Sequence, residues 1–120
     1  MNDYQMGIVE SQFADIIWEN APVSSAQLAK LAEQAFAWKK STTYTVLKRL
    51  CDKGIFQNEK GTVTPRLTRE EYYSFQSEKF VEETFSGSLP AFLAAFTSRK
   101  ALSPEEVAQL RRMVEEFEEQ

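Results

Sequence analysis

The segment from Trp38 to Gly54, WKKSTTYTVLKRLCDKG, restricts the folds open to this chain more than any other stretch. Its spacing predicts a helix whose buried face consists of Thr43, Val46, Leu47 and Leu50. Gly54 suits the left-handed conformation that commonly ends a helix. The opposite face is rich in hydroxyl groups and positive charges. It is either an ordinary charged surface or a face that reads the major groove of DNA.

The charge of the chain is unevenly distributed along its length. The whole sequence has 14 basic and 18 acidic residues, a net charge of −4. Residues 38–69, the basic segment, carry eight Lys or Arg against two acids, whereas residues 1–37 carry one Lys against five acids. Residues 70–120 carry five basic residues against eleven acids. One basic segment between acidic flanks is typical of a local nucleic-acid footprint.

Several classes of protein are disfavoured by what the sequence lacks. It has no His and a single cysteine, Cys51, so the usual soft-ligand metal sites, disulfides and the commonest general base are missing. Neither a signal peptide nor an apolar run of membrane-spanning length is evident. We therefore expect a cytoplasmic protein that is not membrane-embedded, with no metal and no cofactor. Cys51 is expected to be inert and partly buried.

An enzyme is the first competing interpretation, because acids occur in pairs at Glu70/Glu71, Glu82/Glu83 and Glu115/Glu116. Adjacent residues on a helix point about 100° apart, so these pairs do not converge on one substrate. Solvated helix faces explain them better. The prediction is that the protein is not an enzyme.

Capping patterns and periodicity predict six helices and one hairpin. Ser24 with Gln27, Thr68 with Glu71, and Ser103 with Glu106 are capping boxes. The predicted helices cover residues 7–20, 24–34, 38–54, 68–84 and 89–98, and a sixth runs from the Ser103 cap through Phe117. Residues 55–59 and 62–67 form two short strands around Lys60-Gly61, with Pro65 at an edge or a strand end. Trp38 is expected to anchor the core.

Three helices followed by a hairpin form the winged variant of the helix-turn-helix. The predicted fold class is therefore mainly α with a small β-hairpin wing. A winged-helix DNA-binding domain would occupy residues 1–69, and C-terminal dimerisation helices would occupy residues 70–120.

The third helix and the wing supply the predicted DNA contacts. The residues that we expect to face the groove are Ser41, Thr42, Tyr44, Thr45 and Lys48, with Arg49 flanking it. Lys39, Lys40 and Lys53 are expected to approach phosphates. In the wing, Lys60 and Arg66 are expected to reach phosphates or the minor groove. Two of these residues have alternative roles. Tyr44 is otherwise a half-buried packing residue, and Arg49 is otherwise the ion-pair partner of Asp52 or of an acid in the first helix.

The last two helices each carry an apolar stripe opposite a polar face, which neither can bury well alone. They either fold back onto the first helix or pair with the same segment of a second chain, and we favour pairing. The predicted dimerisation residues are Leu89, Phe92, Leu93, Phe96, Val107, Leu110, Val114 and Phe117.

These features together resemble the penicillinase-repressor family of bacterial transcriptional regulators. The resemblance covers nearly the whole chain. It rests on Trp18 at the end of the first helix, on W-x-x-S-T-x-Y-T-x-L-K-R-L-x-x-K-G from Trp38, and on Leu93-Ala94-Ala95-Phe96 leading to Leu102-Ser103-Pro104-Glu105-Glu106.

The resemblance implies a homodimeric repressor that occupies a palindromic operator in double-stranded DNA and is induced by loss of the dimer. In the antibiotic-responsive branch, a membrane sensor protease system leads to cleavage at an Asn–Phe bond. That bond corresponds to Ala95–Phe96 here, with Ala95 in place of Asn. The copper-responsive branch uses a C-terminal cysteine cluster that this sequence lacks. Where the family often has an aromatic pair in the wing, this chain has Thr64-Pro65-Arg66.

A second competing interpretation is a winged-helix module that binds a protein partner without specific DNA binding, since the total charge is acidic. Salt dependence separates the two, because neutralising phosphates releases counterions and makes DNA binding fall steeply with salt.

Overall fold

A computed structural model describes residues 4–120 of the chain. In chain order the elements are α1 Ile8–Asn20, β1 Val23–Ser24, α2 Ser25–Phe36, α3 Lys40–Asp52, β2 Phe56–Glu59, β3 Thr62–Pro65, α4 Arg69–Phe85, α5 Leu89–Thr97 and α6 Pro104–Glu118. The predicted fold class, mainly α with a small hairpin wing, is confirmed.

The helix starts follow the capping signals in the sequence. Ser24 accepts a hydrogen bond from the Gln27 backbone N–H at 3.0 Å, which satisfies one of the free donors at the start of α2. The Gln27 side chain does not bond back to Ser24, so Ser24 is a simple N-cap and not the predicted capping box. Thr68 and Glu71 form the reciprocal pair of a capping box, with distances of 2.9 and 3.0 Å. Helix α2 runs two residues beyond the predicted end and stops at Ala37, which adopts a left-handed φ of 57°.

The sheet has three antiparallel strands in the order β1-β3-β2, one more than the predicted hairpin. Val23 pairs with Val63 in the added strand, and Ser24 pairs with Thr62. Pro65 lies at the end of β3, opposite Phe56, where its missing N–H does least harm to the ladder. The hairpin is therefore joined to the segment that starts α2.

The core lies where α1, α2 and α3 meet the sheet. The predicted inner face of α3 is confirmed, because Thr43, Val46, Leu47 and Leu50 are all buried. The other largest fully buried side chains are Phe13, Ile17, Leu28, Ile55, Phe56 and Val63. Trp38 packs against this core as predicted, with its ring centroid 5.3 Å from that of Phe13. Burial of one face of α3 thus determines which residues point outward.

The link from the wing to α4 is held against α1. The Trp18 indole N–H donates to the Leu67 carbonyl at 2.9 Å. Arg69 Nε lies 3.3 Å from Asp15 Oδ1, and the guanidinium lies 5.7 Å from the centre of the Trp18 ring. Tyr72, in the first turns of α4, is buried, and burial raises the pKa of its phenol. These contacts attach the start of α4 to the winged-helix core.

The chain divides into two compact units, one ending at Lys79 and the other spanning Phe80–Gln120. The predicted division at residues 69 and 70 coincides with the start of α4, whereas the compact units divide within that helix. In the second unit the ring of Phe92 meets those of Phe80, Phe85 and Phe96 at centroid distances of 5.7–6.1 Å. Neither α5 nor α6, both fully described, contains a buried residue.

Candidate nucleic-acid interface

The outer face of α3 is a contiguous polar and basic surface. The predicted groove residues Ser41, Thr42, Tyr44, Thr45 and Lys48 are all exposed, as are the flanking Lys39, Lys40 and Arg49. Their exposure follows from the seating of the helix, because side chains at helical spacing on the opposite face are locked into the core. Tyr44 keeps 38% of its surface exposed, so part of its ring is free for a ligand and the rest is covered, and both roles predicted for it remain open.

The hydroxyl groups on α3 differ in the bonds that they already make. Thr45 donates its hydroxyl proton to the Ser41 carbonyl at 2.9 Å, which leaves its oxygen available only as an acceptor toward a ligand. Thr43, on the buried face, is 3.5 Å from the Lys39 carbonyl. A base edge in a groove would meet a methyl group and an acceptor at Thr45.

The cations of the basic segment fall into three groups by their ion pairs: unpaired, paired within α3, and paired with acids of α1. Among the residues that the structure describes, Lys39 and Lys40 at the start of α3 and Lys60 and Arg66 in the wing make no ion pair within 4.0 Å. Lys48 is paired with Asp52 at 3.3 Å, but the two side chains are 79% and 67% exposed, so the pair is weak and open to exchange.

The third group is held by acids of α1. Lys53 Nζ lies 3.4 Å from Glu10 Oε2 and donates to the Gln5 carbonyl at 2.6 Å. Arg49 Nη1 lies 3.9 Å from the same Glu10 oxygen, so the acid near Arg49 comes from α1, while Asp52 pairs with Lys48. Lys53, the residue that follows α3, is the one predicted DNA contact that is not classed as exposed, and its side chain is 24% exposed.

The wing carries one basic residue, Lys60, in its turn and another, Arg66, directly after β3. Lys60 and Gly61 both have positive φ, 52° and 88°, as the two-residue type I′ turn requires. The Asn58 side chain accepts from the Gly61 N–H at 3.0 Å, and the Gly61 carbonyl accepts from the Ser25 N–H at 2.8 Å. The wing turn is thereby attached to the first turn of α2. Lys60 and Arg66 are both exposed.

Cys51 lies on α3 next to these cations but has the properties of an unreactive thiol. Burial, with a smaller contribution from the Asp52 charge, raises its pKa. A thiol with a raised pKa stays protonated at neutral pH and is a poor nucleophile.

The predicted dimerisation stripe lies largely in solvent. Phe117 is 68% exposed, and Leu89, Phe96, Val107 and Val114 also count among the exposed large apolar residues. Phe92, Leu93 and Leu110 are partly buried. The Ala95–Phe96 bond lies in the last turns of α5, and both of its residues are exposed.

Glu10 is the acid of α1 that pairs with Arg49 and Lys53. The sequence predicted an acid of the first helix as one alternative partner of Arg49, but it did not indicate which acid, nor the pair with Lys53. The only sequence signal of Glu10 is its position in the first turn of α1, three residues after Gly7, whose N–H donates to Glu10 Oε1 at 3.1 Å. The partner cations are 39 and 43 residues further along the chain, where no local pattern connects them. Arg69 was likewise not singled out, and it pairs with Asp15 and Glu19 of α1.

Two structural features are absent from residues 4–120. No helix in this range combines the length and the apolar character that crossing a bilayer requires. The same range contains no group of three His, Cys, Asp or Glu side chains close enough to hold a metal ion.

The chain is similar to known proteins over most of its length. A sequence model of the penicillinase repressor family matches residues 6–116 of this chain. The penicillinase repressor of Bacillus licheniformis is 27% identical over 116 residues, which cover 93% of this chain and 91% of the relative. The family match spans both the winged-helix elements and the C-terminal helices. The chain therefore belongs to the penicillinase repressor family, a family of DNA-binding transcriptional repressors and not of enzymes.

Proposed function

We propose that this repressor binds a palindromic operator as a homodimer, with α3 of each protomer in the major groove. The observation that carries the proposal is the division of α3 into two faces. Four side chains lock one face into the core, and every residue predicted to face the groove is exposed on the other. A major groove about 12 Å wide admits such a helix.

The chemistry of the outer face suits both parts of operator recognition. Ser41, Thr42 and Thr45 offer hydroxyl groups to base edges, and the two threonines also offer methyl groups. Tyr44 offers a ring that can meet a thymine methyl. Lys48 can leave its exposed pair with Asp52 at little cost and reach a base or a phosphate. These residues are the proposed source of sequence specificity.

Phosphate contacts are assigned to the cations around that face. Lys39 and Lys40 stand at the start of α3, and Lys60 and Arg66 stand in the wing, all without an ion pair in the part of the chain that the structure describes. Unpaired cations bind phosphate without first breaking a contact, so these four should dominate the salt-dependent attraction. Arg49 and Lys53 are assigned to phosphates at the other end of α3.

We propose that the apolar stripe of α5 and α6 is buried against a second copy of the chain. Large exposed apolar residues on a helix of a small protein mark an interaction surface more often than a free one. A twofold dimer would place two α3 helices against two half-sites, and linking two weak sites raises the effective concentration of the second.

Induction through the C-terminal helices is a further part of the proposal. Cleavage of the Ala95–Phe96 bond would remove Phe96 and all of α6 from the protomer, and with them most of the apolar stripe. Because the bond lies within α5, a protease would need that helix to unwind first. Co-expression with the membrane sensor protease system of such a regulator, followed by mass spectrometry of the repressor, tests this step. Full-length protein under induction would refute it.

Fluorescence anisotropy tests the central proposal. The protein is titrated into duplexes that tile its own upstream region, at two salt concentrations, with random duplex as competitor. We expect tight, salt-sensitive binding to one palindromic tile. Binding that the competitor removes equally from every tile would point instead to a remote operator or a protein partner.

Two lysine variants separate the roles of α3 and the wing in that assay. Lys48→Ala should weaken binding to the operator tile more than to random duplex. Lys60→Ala should mainly lower the dependence of binding on salt, by about one phosphate contact. Unchanged affinity of both variants at low salt would refute the placement of α3 in the groove.

A further inference from the structure

The carboxylate of Glu10 lies among cations that would otherwise be free for DNA. Its Oε2 is 3.4 Å from Lys53 Nζ and 3.9 Å from Arg49 Nη1. The side chains of Glu10 and Lys53 are only 16% and 24% exposed, so this pair is screened by water far less than the pair of Lys48 with Asp52. Arg49, at 54% exposed, stands at the outer edge of the group.

The carboxylate is held in place by the backbone as well as by the cations. The Gly7 N–H donates to Glu10 Oε1 at 3.1 Å, which fixes the side chain against the start of α1. Lys53 also donates to the Gln5 carbonyl at 2.6 Å, and that contact draws its ammonium group toward the N-terminal segment. Glu10 is therefore not a mobile surface acid, and Lys53 is not a freely moving surface base.

A carboxylate and a DNA phosphate compete for the same donors. Two cations and one anion leave this end of α3 with one unit less positive charge than Arg49 and Lys53 would supply alone. Phosphates occur at every register of every duplex, so this reduction applies to DNA of any sequence. The exposed hydroxyl and lysine side chains that read bases are untouched by it.

The effect differs between the operator and random DNA because long cationic side chains adapt. Freed from Glu10, Arg49 and Lys53 could follow phosphates in many misaligned complexes. Paired with Glu10, Arg49 and Lys53 are held in one arrangement. That arrangement fits the single register on DNA in which α3 contacts its operator bases.

We propose that Glu10 is a specificity-determining residue, which competes with DNA phosphates for Arg49 and Lys53 and so restricts sequence-independent binding more than operator binding. The inference rests on the proposed function, in which α3 lies in the groove and these two cations face phosphates. It adds a negative residue of α1 to the determinants of operator choice.

Glu10→Gln tests the inference, because glutamine keeps the length of the side chain and an oxygen that can accept from the Gly7 N–H. Affinity for random duplex should rise about fivefold to tenfold near 0.1 M salt, with a salt slope steeper by about 0.9. Affinity for the operator tile should rise less, so the ratio of the two affinities falls. Thermal unfolding of each variant shows whether it is folded.

Glu19→Gln is the matched control. It makes the same charge change on the same helix, and Glu19 pairs with Arg69, which is not among the proposed DNA contacts. Its salt slope should stay at the wild-type value. As a second test, Glu10→Gln should have no effect on the slope in a chain that also carries Arg49→Met and Lys53→Met.

The possible outcomes distinguish a failure of the role given to Glu10 from a failure of the proposed function. Salt-sensitive operator binding by the wild type, with equal slopes for Glu10→Gln and Glu19→Gln, overturns the inference and leaves the proposed function standing. A steeper slope that persists without Arg49 and Lys53 overturns it too. Failure of the wild type and every variant to bind any duplex overturns the proposed function, and the role of Glu10 with it.

Discussion

The two compact units of this chain bury their apolar residues in opposite ways. In the unit that ends at Lys79, one face of each of α1, α2 and α3 is covered, and residues such as Phe13, Ile17 and Leu50 have no exposed surface. In the unit spanning Phe80–Gln120, the helices α5 and α6 contain no buried residue, and Phe117 is 68% exposed. A helix gains most of its stability from tertiary packing of its apolar face. The helices α1, α2 and α3 of the first unit have that packing within the unit. The apolar faces of α5 and α6 in the second unit remain exposed to solvent.

Phenylalanine side chains have different roles in the two units. Phe13 and Phe56 of the first unit are fully buried and stabilise its core, whereas Phe96 of α5 and Phe117 of α6 are exposed and belong to the proposed dimer interface. The largest expected effect comes from replacing one phenylalanine by alanine in each unit, in two separate variants. Phe13→Ala should lower the free energy of unfolding by about 3–5 kcal/mol, because it removes a fully buried ring, while Phe117→Ala should lower it by less than about 1 kcal/mol.

Tryptophan fluorescence measures this contrast, because both tryptophans, Trp18 and Trp38, lie in the first unit. Denaturant midpoints should shift for Phe13→Ala and stay nearly constant for Phe117→Ala at low protein concentration. If Phe13→Ala does not fold, Ile17→Val, at about 0.5–1.5 kcal/mol, takes its place. Equal midpoint shifts in the two phenylalanine variants would contradict the division drawn here.

The next test concerns the proposed dimer interface of the second unit. Leu110→Asp places a charge in the apolar stripe of α6 and should give monomers in sedimentation velocity. Operator affinity should then fall by about 100-fold or more, since the second half-site is no longer linked to the first. Gln109→Asp is the control, because it makes the same new charge on an exposed neighbour of the same helix. A dimer that survives Leu110→Asp would point to another interface.

A smaller effect is expected at the wing, where stability and binding should move in opposite directions. Lys60 occupies a left-handed position that costs most residues energy but suits asparagine in a two-residue turn. Lys60→Asn should raise the free energy of unfolding by about 0.5–1 kcal/mol. It should also lower the salt slope of DNA binding by about 0.9. A wing that loses stability in this variant, by chemical denaturation, would show that the lysine side chain supports the turn.

The smallest effect is a pH dependence in the second unit. Hydrogen bonds from the Ser103 backbone N–H, at 3.0 Å, and from its side chain lower the pKa of Glu106. A carboxyl whose folded pKa is depressed contributes stability above its unfolded pKa and loses that contribution as the pH falls through its folded pKa. The start of α6 should therefore fray on acidification, as followed by an NMR titration of the Glu106 carboxyl. Ser103→Ala should move that pKa up toward its ordinary value, and Glu106→Gln should remove the titration.

Local patterns were enough to predict most of the fold. The buried spacing of α3, the caps at Ser24, Thr68 and Ser103, and the turn at Lys60-Gly61 all lie within a few residues of what they determine. Such interactions of residues three or four apart act before any tertiary contact forms, so the sequence displays them directly. The outward face of α3 follows from the same spacing, because whatever is not buried on a helix faces out.

Tertiary structure decided the features that join distant parts of the chain. Val23 and Ser24 show no strand pattern, because two residues are too few for a period, and they became a strand only by pairing with Val63 and Thr62. The contact of Glu10 with Lys53 joins residues that are 43 apart in the chain. By itself, the sequence determined which helices form and which face of α3 is free. Only the fold decided that Arg49 and Lys53 are already paired, because their partner Glu10 comes within reach through the packing of α1.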